Sequence, residues 1–107
     1  MNTKQKQLNM LGLALRAGQL IHGDESVEKA IKRSKVHCVI LASDVSESTN
    51  ERYERIAYDY HVPLFKHMTR IEISHAIGKT RSICAISNKG MANKFISYET
   101  GDNTMTE

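Results

Sequence analysis

The chain has 107 residues, of which 40% are apolar and 25% are charged. This length and balance fit one compact domain with one core, and they argue against intrinsic disorder. Fifteen basic against 12 acidic residues give a net charge of +3, which permits nucleic-acid binding without establishing it. No run approaches the ~20 apolar residues of a membrane span and no secretory pattern opens the chain, so we expect a cytoplasmic protein with no membrane partner.

The first third of the chain predicts two helices separated by a short strand. Leucines recur at i, i+3 and i+7 from Leu8, a pattern typical of a helix over Thr3–Arg16 that Gly18 ends. Residues 19–22 form a short and mostly apolar segment, which we interpret as a strand. A second helix opens after Gly23 and runs to about Ser34.

The middle of the chain predicts a buried strand and a third helix. Residues 36–42 are almost continuously apolar and β-branched, which is typical of a strand covered on both faces. Residues 43–50 form a turn-rich link, and the apolar spacing from Tyr53 to Tyr60 predicts the helix. Asp44 stands where α/β enzymes often place an acid, but we favour its interpretation as the N-cap of this third helix.

The remaining segments continue the alternation of strands and helices. Residues 62–66 predict a short strand, with Pro63 at its beginning or on a sheet edge. Thr69 and Glu72 match a capping box, which opens a helix that Gly78 ends.

The last elements complete a pattern that predicts the fold class. Residues 82–87 predict a buried strand, and Asn88 caps a final helix. Residues 100–107 have no apolar periodicity and are expected to form a flexible tail. One helix followed by four strand–helix repeats predicts a single α/β domain over residues 1–99, built as a three-layer α/β/α sandwich.

Patterns for catalysis and metal binding are missing from the sequence. Residues 78–80 resemble the end of a phosphate loop, but Ile73 stands where that loop needs its earlier glycine, and the segment leaves a helix. Histidines and cysteines form no HxxxH, HxH or CxxC pair. Cys38 and Cys84 lie in apolar runs, which predicts buried, reduced thiols. We therefore expect no enzyme, catalytic residue, metal, cofactor or small-molecule substrate.

Two polar segments carry candidate binding chemistry. At the first, a glycine lets a ligand approach the backbone, and the amides of a helix N-terminus favour a phosphate. The candidate residues of this segment are Gly23, Asp24, Glu25, Ser26, Lys29, Lys32 and Arg33. Glu25 and Ser26 are placed to reach base edges, whereas the cations suit backbone phosphates. An ordinary capped helix with a solvated face has the same pattern, so these residues alone leave that alternative open.

The second polar segment is the loop before the last predicted strand. Lys79 and Arg81 supply cations, and Thr80 and Ser82 supply hydroxyls. If both segments emerge on one edge of the sheet, this loop flanks Gly23 and closes a groove.

Several separate runs resemble one known family in the same order. These runs are GDESVEKAIKR, VHCVILASD, VPLFK, IEISHAIGKTRSICAI and NKGMANKFIS. Together they cover residues 6–98 and resemble the kink-turn RNA-binding ribosomal protein family of L7Ae and L30e, its small bacterial members above all. The resemblance implies a four-stranded mixed sheet and binding of kink-turns, which are sharply bent RNA helices with tandem sheared G·A pairs. Structured RNA such as rRNA is then the expected partner, and the ribosome the expected setting.

The family's signature turn reads Gly-x-Asn-Glu-x-x-Lys, and the chain matches it in part. Gly23 and Lys29 match, while Glu25 stands at the Asn position and Ser26 at the Glu position. Ser26 lacks the carboxylate that accepts from guanine, and Glu25 brings negative charge towards RNA. We therefore expect looser kink-turn recognition than the full signature implies. The resemblance also implies a second contact from the loop of residues 78–82, where Arg81 matches a basic position.

The same resemblance implies two alternatives. Related domains in stress-signalling proteins and release factors use this fold to bind protein partners. Other similar domains recognise substrates for RNA-modifying methyltransferases, and this chain would then need a separate enzyme as partner.

Overall fold

The computed structural model describes residues 1–100 and confirms the predicted alternation of helices and strands. The helices are α1 (Thr3–Arg16), α2 (Asp24–Lys32), α3 (Glu47–Asp59), α4 (Arg70–Ile77) and α5 (Lys89–Thr100). The strands are β1 (Leu20–His22), β2 (Cys38–Leu41), β3 (Leu64–Phe65) and β4 (Ile83–Ile86). The predicted tail lies outside the described residues except for Thr100, which closes α5. No helix within residues 1–100 is long and apolar enough to cross a membrane.

The four strands form one mixed sheet in the order β1-β4-β2-β3. Strand β4 is antiparallel to both of its neighbours, with His22 opposite Cys84 on one side and Ile40 opposite Cys84 on the other. Strands β2 and β3 are parallel. Pro63 lies just before the edge strand β3, where its missing N–H breaks no ladder bond, as predicted.

Helices cover both faces of the sheet, which confirms the three-layer α/β/α sandwich. Because successive strand residues point to opposite faces, each central strand contributes to two cores. One core joins α1, α4 and α5 to Cys38, Ile40, Ala42, Cys84 and Ile86. The other joins α2 and α3 to Val36, Val39, Leu41, Ile83 and Ala85. Full burial of one such isoleucine or leucine side chain contributes about 1.5–3 kcal/mol, which explains why both central strands are almost wholly apolar.

The helix ends follow the predicted capping chemistry at three positions. Thr69 accepts from the Glu72 amide while the Glu72 carboxylate accepts from the Thr69 amide, so the capping box is present. Gly78 ends α4 in the left-handed conformation, with φ of 73°. The Asn88 side chain accepts from the Met91 amide at 2.8 Å, at the start of α5.

The predicted N-cap of α3 was wrong. Helix α3 is capped by Ser46, whose Oγ accepts from the Thr49 amide at 3.2 Å. Asp44 instead accepts from the Arg70 amide at 2.9 Å, so its carboxylate joins the β2–α3 loop to the first turn of α4. The Asp44 carboxylate could accept from the unpaired amides at the start of either α3 or α4. Which of the two helices it reaches depends on the tertiary fold.

Helix α1 carries a buried polar residue that the leucine stripe did not reveal. Gln7 is fully buried and lies four residues before Leu11 on the inner face of the helix. Its Nε2 donates to the Phe95 carbonyl and to Glu99 Oε1, both at 3.2 Å, and its Oε1 lies 2.7 Å from His67 Nε2. These bonds satisfy the amide and join α1, α5 and the loop before α4.

Both cysteines are free, buried thiols, as predicted. Burial raises the pKa of Cys38 to about 12 and also raises the pKa of Cys84. The thiolate, which is the reactive form, is therefore strongly disfavoured at both positions.

Candidate nucleic-acid interface

Antiparallel pairing brings the two polar segments to one edge of the sheet. Strand β1 ends where β4 begins, and the Gly23 amide donates to the Ile83 carbonyl at 2.9 Å. The Ala42 amide donates to the Ser82 carbonyl at 2.8 Å, so the end of β2 meets the same edge. The condition of the sequence-based prediction is therefore met, and the loop of residues 78–82 flanks the turn at Gly23.

A groove of about 370 Å³ opens between these segments, and we call it the edge groove. Its lining residues are Gly23, Asp24, Val45, Ser46, Thr49, Arg70, Thr80, Arg81, Ser82 and Ile83. Sequence reasoning identified the residues of the Gly23 turn and of the Arg81 loop but missed Ser46, Thr49 and Arg70. The signal for Arg70 is its position directly after the capping residue Thr69, where the helix N-terminus itself favours an anion.

The backbone at Gly23 adopts a conformation that L-residues avoid. Its φ is 96° and its ψ is 147°, a region occupied almost only by glycine. A Cβ built here would lie 3.7 Å from Arg81 Nε, so a side chain at this position would be in van der Waals contact with the arginine. The first hydrogen bond of α2 runs from the Val27 amide to the Gly23 carbonyl, which leaves the preceding amides without partners in the helix.

Arg81 is held on both sides of its side chain. Its Nε donates to His22 Nδ1 at 3.0 Å, and its Nη1 donates to the Thr80 carbonyl at 2.8 Å. The Ser74 hydroxyl accepts from the Arg81 amide at 3.0 Å and donates to the Arg81 carbonyl at 3.1 Å. Strand β1 and helix α4 therefore fix the orientation of this cation.

Asp24 is engaged by α3. Its two carboxylate oxygens accept from Arg52 at 3.0 and 2.6 Å, and Oδ1 also accepts from the Tyr53 hydroxyl at 2.6 Å. The hydrogen bond from Arg52 lowers the pKa of Asp24, and burial opposes this only in part. The Tyr53 hydroxyl oxygen also lies 2.8 Å from the Asp24 carbonyl oxygen, so its single hydrogen is shared between the two acceptors. The carboxylate is thus neutralised within the protein, and a direct RNA contact by Asp24 stays a prediction.

The other predicted residues of α2 lie outside the edge groove. Glu25, Ser26, Lys29 and Arg33 line a second groove of about 720 Å³ beside β1, which we call the flank groove. Its other lining residues are Gly18, Ile21, Ala30, Lys35 and Ser87. Lys32 instead forms an ion pair with Glu28 at 2.9 Å, on the side facing α3. The structure therefore places four of these residues beside the flank groove and Lys32 in an ion pair at the protein surface.

The remaining predicted cation, Lys79, lies between α4 and β4. Together with Arg70 and Thr80 it lines a third groove of about 400 Å³ that adjoins the edge groove. Among residues 1–100, Arg70, Lys79 and Arg81 form no ion pair with a carboxylate, and neither do Lys29 and Arg33. Five cations are thus available to an anionic ligand: Arg70 at the start of α4, Lys79 and Arg81 after its end, and Lys29 and Arg33 at the end of α2.

The sequence profile of the "Ribosomal protein L7Ae/L30e/S12e/Gadd45 family" matches residues 5–96. The chain belongs to this L7Ae/L30e family. Two relatives are both described as "RNA-binding protein YlxQ". The one from Enterococcus faecium is 38% identical over 91 residues, which cover 85% of this chain and 88% of the relative. The one from Bacillus subtilis (strain 168) is 35% identical over 89 residues, which cover 82% and 89%.

Solved structures of similar proteins have the same fold as this L7Ae/L30e family member. "A protein with unknown function from Bacillus halodurans C" superposes with a TM-score of 0.83 and 34% identity over 87% of this chain and 95% of the other. The "Giardia lamblia 15.5kD RNA binding protein" superposes with a TM-score of 0.78 over 97% of this chain and 90% of its own. At 15% identity, the second likeness shows the fold alone. The family membership implied by the sequence runs is confirmed.

The ion pair between Asp24 and Arg52 makes the stability of the fold in acid depend on Asp24. Because Arg52 lowers the pKa of Asp24 below 3.8, the ionised carboxylate stabilises the fold above pH 3.8, and this is lost as pH falls through the lowered pKa. With Asp24→Asn, we expect the free energy of unfolding to fall less steeply between about pH 5 and pH 2.5. The difference should stay below about 1 kcal/mol because both side chains are partly solvated.

Denaturant unfolding at a series of pH values measures this slope. Asp59→Asn removes an exposed carboxylate at the other end of α3 and serves as the matched control. Equal slopes for Asp24→Asn and the wild type would show that the Arg52 contact does not stabilise the fold.

Proposed function

We propose that this chain is a non-enzymatic RNA-binding protein that recognises kink-turns or similarly bent RNA. The observation that carries the proposal is the meeting of the Gly23 turn and the Arg81 loop at one edge of the sheet, joined by the bond from the Gly23 amide to the Ile83 carbonyl. The names of the two relatives support RNA as the ligand. Structured RNA such as rRNA is the proposed partner, with the ribosome as its setting and the cytoplasm as its location.

In this proposal the edge groove and the flank groove contact different parts of the RNA. Phosphates contact Arg70 and Arg81 at the edge groove and Lys79 at the adjoining third groove, and the free amides at the start of α2 add donors. A second stretch of the RNA backbone contacts Lys29 and Arg33 at the flank groove. Cations with no carboxylate partner in residues 1–100 bind phosphate without first breaking an ion pair.

Glu25 and Ser26 decide how strictly the RNA sequence is recognised. Both are exposed at the first turn of α2, where the family signature has Asn and Glu. The Ser26 hydroxyl donates or accepts, whereas the ionised Glu25 carboxylate only accepts and is repelled by nearby phosphates. The proposal therefore assigns most of the affinity to RNA shape and backbone charge, and less to base contacts.

Binding measurements with three RNAs test this function. We expect a kink-turn RNA to bind more tightly than an unbent duplex or a single strand of equal length. The five phosphate contacts of this proposal should give a slope of about −4.5 in a plot of log K against log salt. Equally weak binding of all three RNAs would contradict the proposal.

A protein-interaction module on the same fold is the second candidate function. Between α1 and α4 lies a groove of about 770 Å³, and two of its lining residues, Leu13 and Ile71, are 45% and 79% exposed. Exposed apolar side chains beside a groove are more typical of a protein contact than of an RNA contact. Recovery of the same protein partner before and after nuclease treatment of a lysate would favour this candidate, whereas loss of all partners would favour RNA.

A further inference from the structure

We propose that His22 is a positioning residue that holds the Arg81 guanidinium in its RNA-binding orientation by accepting the Nε–H on its Nδ1. This inference rests on the proposed function. His22 belongs neither to the predicted set of binding residues nor to the lining of the edge groove. Its effect on RNA is exerted through Arg81.

Hydrogen bonds with three neighbouring residues, His22, Ser74 and Thr80, fix the orientation of Arg81. The Ser74 hydroxyl bonds both backbone groups of Arg81, at 3.0 and 3.1 Å, and so fixes the base of the side chain to α4. The 3.0 Å bond from Nε to His22 then fixes the guanidinium to β1. A guanidinium has five N–H donors, and these bonds to His22 and Thr80 use two of them. Three donors remain for the acceptors of an RNA.

The bond requires one protonation state of His22. Nδ1 accepts only when it carries no hydrogen, so the imidazole is neutral with its hydrogen on Nε2. Burial, Arg81 and Lys79 all lower the pKa of His22 and favour this state. The adjacent carboxylate of Asp24, which would favour a charged imidazole, is already paired with Arg52. Both cations that lower this pKa come from the α4–β4 loop, and the nearest acid along the chain is paired with Arg52.

A protonated His22 would present an N–H to the Nε–H of Arg81. The two donors repel, and the guanidinium must turn away from the position in which its Nη1 donates to the Thr80 carbonyl. RNA binding to the held orientation therefore competes with protonation of His22. Acidification should weaken RNA binding, opposite to the gain expected when a histidine beside phosphates simply becomes positive.

Two substitutions of His22 separate positioning from a structural role. In His22→Asn the amide oxygen occupies a place close to Nδ1 and keeps an acceptor, while His22→Leu removes the acceptor. We expect the Leu variant to bind a kink-turn RNA about tenfold more weakly and the Asn variant to bind within about threefold of wild type. In an Arg81→Ala background, His22→Leu should cause no further loss, because there is no guanidinium left to position.

The pH dependence of RNA affinity distinguishes positioning from a purely structural role of His22, because a structural role would not change it. Between pH 7.5 and pH 5.5, the wild type should lose affinity while His22→Asn stays level, because an amide does not titrate there. Additive losses in the double-variant cycle, or a wild-type affinity that changes with acid in the same way as that of His22→Asn, would overturn the inference. Absence of RNA binding by the wild type would overturn the proposed function and this inference together, whereas binding indifferent to His22 would overturn this inference alone. The thermal unfolding midpoint of each variant checks that it is folded.

Discussion

Replacing Lys29 and Arg81 together with alanine should weaken binding of a kink-turn RNA about 100-fold. The two cations lie in different grooves, so they contact separate parts of the RNA and their effects should add. A hydrogen bond to a charged group contributes about 1.5–3 kcal/mol, and each 1.4 kcal/mol is a factor of about ten in affinity. The slope of log K against log salt should also become less negative by about 2, because two phosphate contacts are lost.

Arg55→Ala with Lys89→Ala is the matched control for this double variant. Both residues are exposed, on α3 and α5, and their removal changes the net charge by the same amount. An equal loss of affinity in the two double variants would mean that binding depends on total charge and not on these grooves. Fluorescence anisotropy at a series of salt concentrations measures both the affinity and the slope.

Gly23→Ala should reduce both stability and RNA binding. The φ of 96° and ψ of 147° at this position are almost exclusive to glycine, and forcing another residue into them costs about 1–3 kcal/mol. If the backbone relaxes instead, the Gly23 amide loses its bond to Ile83 and the start of α2 shifts relative to Arg81. We therefore expect at least about tenfold weaker RNA binding, measured beside the free energy of unfolding in denaturant.

Ala92→Gly separates lost stability from a direct effect on the interface. Ala92 is fully buried in α5 and lines none of the grooves described above. Glycine in a helix interior costs about 1 kcal/mol relative to alanine. We expect Ala92→Gly to lower the free energy of unfolding by about 1–2 kcal/mol with little loss of RNA affinity. A similar loss of affinity in both variants would trace the Gly23 effect to stability alone.

The sequence predicted every helix and strand of the described chain because local patterns determine them. The apolar run of residues 36–42 indicated a strand covered on both faces, and the two cores that share β2 explain it. Strand ends differed by one or two residues, since pairing in the sheet extends only as far as the partner strands. Capping at Thr69 and Asn88 was also correct, because these bonds span three residues and are visible in the sequence.

Contacts between distant residues were beyond the reach of sequence patterns. Arg52 and Tyr53 bond to Asp24 across 28 and 29 residues, and His22 accepts from Arg81 across 59. The same limit explains why Asp44 was assigned to the wrong helix and why Arg70 was missed at the edge groove. The meeting of the Gly23 turn with the Arg81 loop was predicted only conditionally, because it depends on β1 and β4 being antiparallel neighbours.

The Gly23 turn is held by a backbone bond to β4, by the Tyr53 hydroxyl and by Arg52, so it is rigid before any ligand arrives. A preformed surface loses little conformational entropy on association. In the complex it is therefore the RNA that changes shape, because it must bend to reach both grooves. Apparent affinity should consequently scale with the fraction of RNA molecules that are already bent, and RNAs of equal charge but different stiffness should differ in their association rates.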